Sequence, residues 1–307
     1  MKLIPEQQIN LYCYDNIMKY LTSIIDNNTF PNKVIFYGQK GIGKSTIAYH
    51  IINYIFSKNE DNNYDLNNFR INEENRSFNL IINKSHPNFF HISLKDEKKN
   101  IEISQIREMI LFCNKSSFDN RNKIILIDNA EYLNKNSTNA LLKIVEEPNE
   151  KIIFFFINNS NKKILDTLKS RCIKFNINLP ENEKIYVLNK LIDQTFYQSL
   201  NTTFRNYYLT TGDYVNLYNF FKENKLDLNI TIDDFIKFII KNKSYKNSLY
   251  IKEHLSLFFE LLFSSKNIKF HKFNYYYYFL KQIYDANKYN LDIESIILEF
   301  QLKYKYE

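Results

Sequence analysis

Gly38-Gln39-Lys40-Gly41-Ile42-Gly43-Lys44-Ser45 is the stretch on which the fold turns. It fits the phosphate-cradling pattern G-x-x-x-x-G-K-[ST]. Lys33–Tyr37 reads as a short buried strand feeding it, and Ile47, Ile51, Ile52 and Ile55 recur at helical spacing from Ser45 to Phe56. Glycines let the backbone curl so that successive N–H groups point at phosphate oxygens, and the helix that leaves the loop adds the positive end of its dipole. Lys44 would neutralise charge on the outer phosphates, and Ser45 would offer its hydroxyl oxygen to Mg²⁺. The candidate phosphate-binding set is Gly38, Gly41, Ile42, Gly43, Lys44, Ser45 and Thr46. Three of the four glycines in 307 residues sit in this one loop.

Outward from the loop, Lys123–Ile127 is an apolar strand pattern ending in Asp128, the acid expected to hold Mg²⁺ through water. Ile152–Ile157 is another continuous β-favouring run, and Phe89–Leu94 a fourth. Helices are expected before the loop (Ile17, Leu21, Ile24, Ile25), over Ser104–Cys113 with Ser104 as N-cap, and over Ser137–Glu147, stopped by Pro148. Ser57–Asn83, rich in Asn, Asp and Glu, reads as an irregular, partly mobile insertion. Strand–helix alternation to about Ile177 implies a mostly parallel, doubly wound sheet. Beyond Pro180 every pattern is helical: Ile185–Leu200, Asp213–Phe221, Ile232–Ile240, Leu249–Phe263, Tyr275–Tyr289 and Ile293–Tyr304.

Composition excludes several classes. An apolar fraction of 44% supports a real core, and only 4 Gly and 5 Pro exclude collagen-like or linker-dominated chains. Cys13, Cys113 and Cys172 are odd in number and far apart, so neither a disulfide framework nor a zinc knuckle is expected. No run has the apolar length of a membrane span, and Met1–Asn10 lacks the apolar region of a signal peptide, so a cytoplasmic protein is expected. The net charge of +7 alone decides nothing about nucleic acid. Heavy use of Asn, Lys, Ile, Tyr and Phe reads as an AT-rich codon bias, which makes single Asn and Lys residues poor signals.

Ser137-Thr138-Asn139-Ala140-Leu141-Leu142-Lys143-Ile144-Val145-Glu146-Glu147-Pro148 resembles the NALLK-x-x-EEP segment of bacterial clamp-loader subunits, and Lys169-Ser170-Arg171-Cys172 resembles their SRC motif. Ser85-His86-Pro87-Asn88 and Asn290-Leu291-Asp292 are similar to segments of the delta-prime subunit of DNA polymerase III. The resemblance runs nearly continuously from Gly38 to Ile177. It implies an α/β P-loop AAA+ domain over residues 1–178, a small helical lid over 179–228 and an all-α collar over 229–307. It also implies ATP or ADP with Mg²⁺ as cofactor. The implied partners are tau/gamma- and delta-type subunits, the sliding clamp, and primer–template DNA through the assembled complex.

By the same resemblance, Arg171 takes the arginine-finger position that reaches a neighbouring subunit's nucleotide, and Asn158 or Asn159 takes the sensor-1 position. Arg107 and Lys115 could face DNA, although a solvated face is the simpler reading. Phe258, Phe259, Leu262, Phe263 and Tyr275–Leu280 read as core, or as collar surface buried on assembly. Three departures stand out. Asn129 replaces the glutamate that polarises water in active loaders, and Glu131 would point elsewhere if the chain there is helical. Gly212-Asp213-Tyr214-Val215-Asn216 lacks a sensor-2 arginine. Residues 57–84 lack cysteine, so no zinc is expected, and the scattered His50, His86, His91, His254 and His271 read as structural. The expectation is a delta-prime-like subunit with little ATPase activity. A hydrolysing tau/gamma-type loader and a stand-alone P-loop enzyme are the alternatives.

Overall fold

Uninterrupted β-branched and aromatic runs suit strands buried on both faces, as parallel sheets require. The computed structural model, which describes residues 3–95, 98–115, 121–146, 151–160, 163–205, 207–265, 273–289 and 291–304, turns these runs into β1 (Lys33–Gly38), β2 (Phe89–Ile92), β3 (Lys123–Ile127) and β4 (Ile152–Asn159), and adds a mostly exposed fifth strand, β5 (Ile173–Asn176). All pairings are parallel, in the order β2-β3-β4-β1-β5. Every residue of the central β4 is buried. Around the sheet lie α1 (Asp15–Asp26), α2 (Lys44–Ser57), α3 (Arg76–Ile82), α4 (Ile103–Asn114), α5 (Lys135–Glu146) and the single turn α6 (Asp166–Lys169).

Strand alternation sorts side chains into two cores. Val34, Phe36, Phe155 and Ile157 pack with Met18, Leu21, Ile47 and Ile51 from α1 and α2 on one face. Ile35, Phe154 and Phe156 pack with Ile106, Met109, Leu141, Val145 and Leu168 from α4, α5 and α6 on the other. The expected doubly wound sheet is borne out. Lys123 opens β3 yet is buried, because its ammonium donates to the carbonyls of Phe112, Cys113 and Lys115 at the end of α4. It meets the negative end of that helix's dipole.

Two local expectations are corrected. The cap of α4 is Glu102, whose N–H donates to Gln105 Oε1 at 3.1 Å, and Ser104 lies within the first turn. The insertion is not irregular throughout. Its end forms α3, capped by Asn75 Oδ1, which accepts from Phe78 N at 2.7 Å. Asn75 is fully buried, also accepts from Asn53 Nδ2, and donates to Glu60 Oε2 and the Asn62 carbonyl. Glu60 further takes the Ser77 hydroxyl at 2.6 Å. Close by, His50 meets the Tyr64 hydroxyl at 2.8 Å and the Gln8 carbonyl at 3.0 Å. A polar network holds this segment, and among the described residues no cluster of three or more His, Cys, Asp or Glu side chains is arranged to hold a metal ion. Glu147, Pro148, His271, Asn290 and the side chains of Tyr275 and Tyr276 lie outside the described residues.

The chain divides into two units, Met1–Val187 with Thr210–Gly212, and Leu188–Leu209 with Asp213–Glu307. Beyond the sheet come α7 (Glu181–Leu191), α8 (Phe196–Ser199), α9 (Thr202–Arg205), α10 (Thr211–Glu223), α11 (Ile232–Lys241), α12 (Ser244–Asn247), α13 (Leu249–Ser265), α14 (Phe273–Tyr289) and α15 (Ile293–Tyr304). The helix expected over Ile185–Leu200 breaks into α7 and α8. The second unit has an aromatic core. Phe235 packs edge-on to Phe204 and Phe258, and Phe259 to Phe279 and Phe300, at centroid distances of 4.8–5.3 Å. Phe258, Phe259, Leu262 and Phe263 are thus core, whereas Tyr277, Tyr278 and Tyr284 on α14 are exposed. No helix among the described residues is long and apolar enough to cross a membrane.

Candidate functional site

Parallel strands deliver their carboxyl ends to one edge, the usual place for a ligand in such sheets. Register brings Gly38 beside Asn159, and the Asp128 N–H donates to the Ile92 carbonyl at 2.8 Å, which fixes that acid just past β3. Gly41 (φ 85°) and Gly43 (φ 97°) hold left-handed conformations that turn the chain into α2. Lys44, 3% exposed, donates to the carbonyls of Gly38 (3.1 Å) and Gln39 (2.5 Å) and to Asn159 Oδ1 (2.9 Å). Ser45 Oγ donates to Asp128 Oδ2 at 3.0 Å, and Asn129 N–H to Asp128 Oδ1 at 2.8 Å. Gly38, Gly41, Ile42, Gly43, Lys44, Ser45, Thr46, Asp128 and Asn159 therefore lie around one loop and one sheet edge.

Burial lowers the Lys44 pKa to about 8, against the raising influence of Asp128 and Glu131. Burial raises that of Asp128, opposed by His91, the Ser45 hydroxyl, the Asn129 N–H and Lys44. A half-buried carboxylate beside a serine hydroxyl, next to a glycine-lined loop with a lysine, suits Mg²⁺ and phosphate. The residues present fit a magnesium–nucleotide complex.

Three participants escaped sequence reasoning. Asn129 adopts a left-handed conformation (φ 56°, ψ 48°), so a 3₁₀ turn over Ala130–Tyr132 follows it in place of an α-helix. The turn returns Glu131 to the site, where its Oε1 accepts from Asn159 Nδ2 at 2.6 Å, correcting the expectation that it points away. Tyr14 donates its hydroxyl to the Ile42 carbonyl. Finally, the fourth glycine joins the other three: Gly212 N–H donates to the Gly41 carbonyl at 2.9 Å. A Cβ at 212 would meet Gly41 Cα at 2.8 Å, and one at 41 would meet Thr210 Oγ1 at 2.5 Å. The scarcity of glycine was the available signal.

Arg171 makes its contacts elsewhere. Its guanidinium reaches Glu146 Oε1 at 2.8 Å, the Thr167 carbonyl at 2.7 Å and Ser170 Oγ at 3.3 Å. His86, from the Ser85–Asn88 segment, stacks on Phe56 at 4.1 Å, and its ring accepts from Asn88 N–H, so that segment anchors the start of β2. Arg107 and Lys115 are exposed.

A parallel, doubly wound sheet with a glycine-lysine loop at its carboxyl edge, followed by an all-α region, is the architecture of a P-loop AAA+ protein. Residues 14–181 match the family described as "DNA polymerase III, delta subunit", and the chain belongs to that family. "DNA polymerase III subunit delta'" of Pseudomonas aeruginosa is 28% identical over 146 residues, covering 48% of this chain and 43% of that protein. The protein of the same name from Buchnera aphidicola subsp. Schizaphis graminum is 36% identical over 101 residues, 33% of this chain and 30% of its own. "DNA polymerase III subunit gamma" from that source is 29% identical over 172 residues, 55% and 45% respectively. These matches span less than half the length of the curated relatives. Among solved structures, a DNA polymerase III gamma subunit-related protein of Thermotoga maritima superposes with a TM-score of 0.51 at 16% identity, covering 92% of this chain and 96% of that one, which speaks for the fold. The resemblance to delta-prime-type clamp-loader subunits is borne out.

Proposed function

We propose that this chain is a delta-prime-like clamp-loader subunit that binds ATP or ADP with Mg²⁺ and turns it over slowly or not at all. In this reading it lends Arg171 to a nucleotide held by a neighbouring tau/gamma-type subunit, while the assembly, with a delta-type subunit, places the sliding clamp on primer–template DNA. The observation that carries the nucleotide reading is the meeting of Lys44, Ser45, Asp128 and Asn159 at one sheet edge. Glycine N–H groups and Lys44 would receive the phosphates, and Ser45 and Asp128 would hold the magnesium ion. An asparagine at 129 cannot accept a proton, which argues against fast hydrolysis. Residues 179–228 would serve as lid and 229–307 as collar, with Tyr277, Tyr284, Leu298 and Leu302, all exposed, as part of the face covered on assembly.

Binding of a fluorescent nucleotide by the full chain tests the first part. Wild type should bind in the presence of Mg²⁺ and Lys44→Ala should not; equal binding refutes the reading. Co-purification with tau/gamma- and delta-type subunits tests the second. One observation favours a hydrolysing tau/gamma-type role instead, namely the carboxylate of Glu131 within the site. Steady-state ATPase turnover of about 1 s⁻¹ or more by the isolated chain would decide for it.

A further inference from the structure

Asn159 has its amide polarity fixed from three sides. Its Nδ2 donates to Glu131 Oε1 at 2.6 Å and to Asn129 Oδ1 at 3.1 Å, which uses both amide hydrogens. Its Oδ1 accepts from Lys44 at 2.9 Å. An ionised carboxylate only accepts and an ammonium only donates, so neither contact survives a flip of the amide. Glu131 is itself held, since its Oε2 accepts from Asn159 N at 3.2 Å and Asn158 Nδ2 at 3.3 Å. The side of Asn159 that faces Lys44 is therefore a carbonyl oxygen.

That orientation bears on which nucleotide the loop accepts. Phosphate oxygens are acceptors and need donors. The loop N–H groups and Lys44 offer these to the phosphates common to a nucleoside diphosphate and triphosphate. A triphosphate brings one more phosphate to Lys44, where the chain presents the Asn159 oxygen, with Glu131 behind it and Asp128 bonded to the neighbouring Ser45. To donate to that phosphate, Asn159 would have to surrender its bonds to Glu131, Asn129 and Lys44 together.

We infer that Glu131, acting through Asn159, is a positioning residue that makes this site select nucleoside diphosphate over triphosphate. The inference rests on the nucleotide-binding reading of the loop, and its test separates the two. Equilibrium titrations of the full chain with Mg²⁺, using ADP and a non-hydrolysable ATP analogue, should give a Kd ratio of about tenfold or more in favour of ADP. Glu131→Gln can donate as well as accept, so it frees the amide to turn, and the ratio should fall toward one through tighter binding of the triphosphate. Asn159→Ala, which removes the oxygen altogether, should shift the ratio the same way and serves if the first variant folds poorly. Lys44→Ala should lose both ligands. Equal or tighter triphosphate binding by wild type, or a ratio unchanged in both variants, overturns the inference while leaving nucleotide binding intact. Failure of wild type to bind either ligand overturns both.

Discussion

Arg171 Nη2 lies 2.8 Å from Glu146 Oε1, which joins the Lys169–Cys172 segment to the last residue of α5. Two stretches that carry the family resemblance thus meet in one ion pair, and the arginine proposed to act on a neighbour is held on its own subunit. Both side chains are substantially exposed, at 37% and 48%, so the pair adds at most about 1 kcal/mol to stability.

Arg171→Ala is accordingly expected to leave thermal stability and nucleotide binding of the isolated chain nearly unchanged. In a reconstituted loader it should lower clamp- and DNA-stimulated ATPase, because arginine fingers elsewhere contribute about 10³–10⁵ in rate. Glu146→Gln should act in the opposite sense, since it removes the carboxylate that competes with phosphate for the guanidinium. Wild-type loading rates in Arg171→Ala would refute the trans role.

Nucleotide affinity should depend on pH through Lys44. Burial brings its pKa down to about 8, so the free protein loses this charge as pH rises through that value. Bound phosphate favours the ammonium and raises its pKa, so binding takes up a proton above pH 8. Affinity should be flat below about pH 8 and fall by up to about tenfold per unit above it. Lys44→Arg, if it binds, should show no such fall, because a guanidinium keeps its proton. An unchanged wild-type Kd between pH 7 and 9 would contradict this.

Asn75→Ala should destabilise the fold by about 2–4 kcal/mol. The change strands the buried Phe78 N–H and the amide of Asn53, and takes a donor from Glu60. Denaturant unfolding should show a lower midpoint at constant slope. A loss within about 0.5 kcal/mol would mean that the network around Asn75 does not hold the segment.

Gly212→Ala isolates a steric effect, because only Gly41 and Gly43 among the glycines have positive φ. The added methyl would press on the Gly41 backbone at 2.8–2.9 Å, contacts that no rotamer change can relieve. A cost of about 1–3 kcal/mol is expected, together with weaker nucleotide binding as the loop is displaced. Unaltered binding in a folded variant would show that the loop tolerates the shift.

The parts read correctly from sequence share one physical trait. Lys33–Tyr37, Lys123–Ile127 and Ile152–Ile157 are continuous β-favouring runs that become fully or largely buried strands, where apolar content leaves little ambiguity. β5 sits at an edge, with Ile173 and Lys174 both exposed, and so carries no comparable pattern. Lys44, Ser45 and Asp128 were evident because their chemistry requires fixed residue types. Glu131 was misplaced because one left-handed residue, Asn129, changed the periodicity after it. Asn75 was invisible for another reason: in a chain crowded with asparagines, a fully buried one looks like the rest until its partners are known.

The gathering of all four glycines in one loop and the backbone that crosses it bears on how such compositionally skewed chains can be decoded. Glycine codons are rich in G and C, so base-composition drift works against them wherever a side chain can be accommodated. At Gly38, Gly41 and Gly212 a methyl group would meet backbone or a buried hydroxyl closer than 3 Å, and at Gly43 the backbone angle itself opposes one. In a skewed alphabet of this kind the rarest letters carry the most information. Plotting where the scarce residue types fall would then be a quick first guide to the functional centre of related chains.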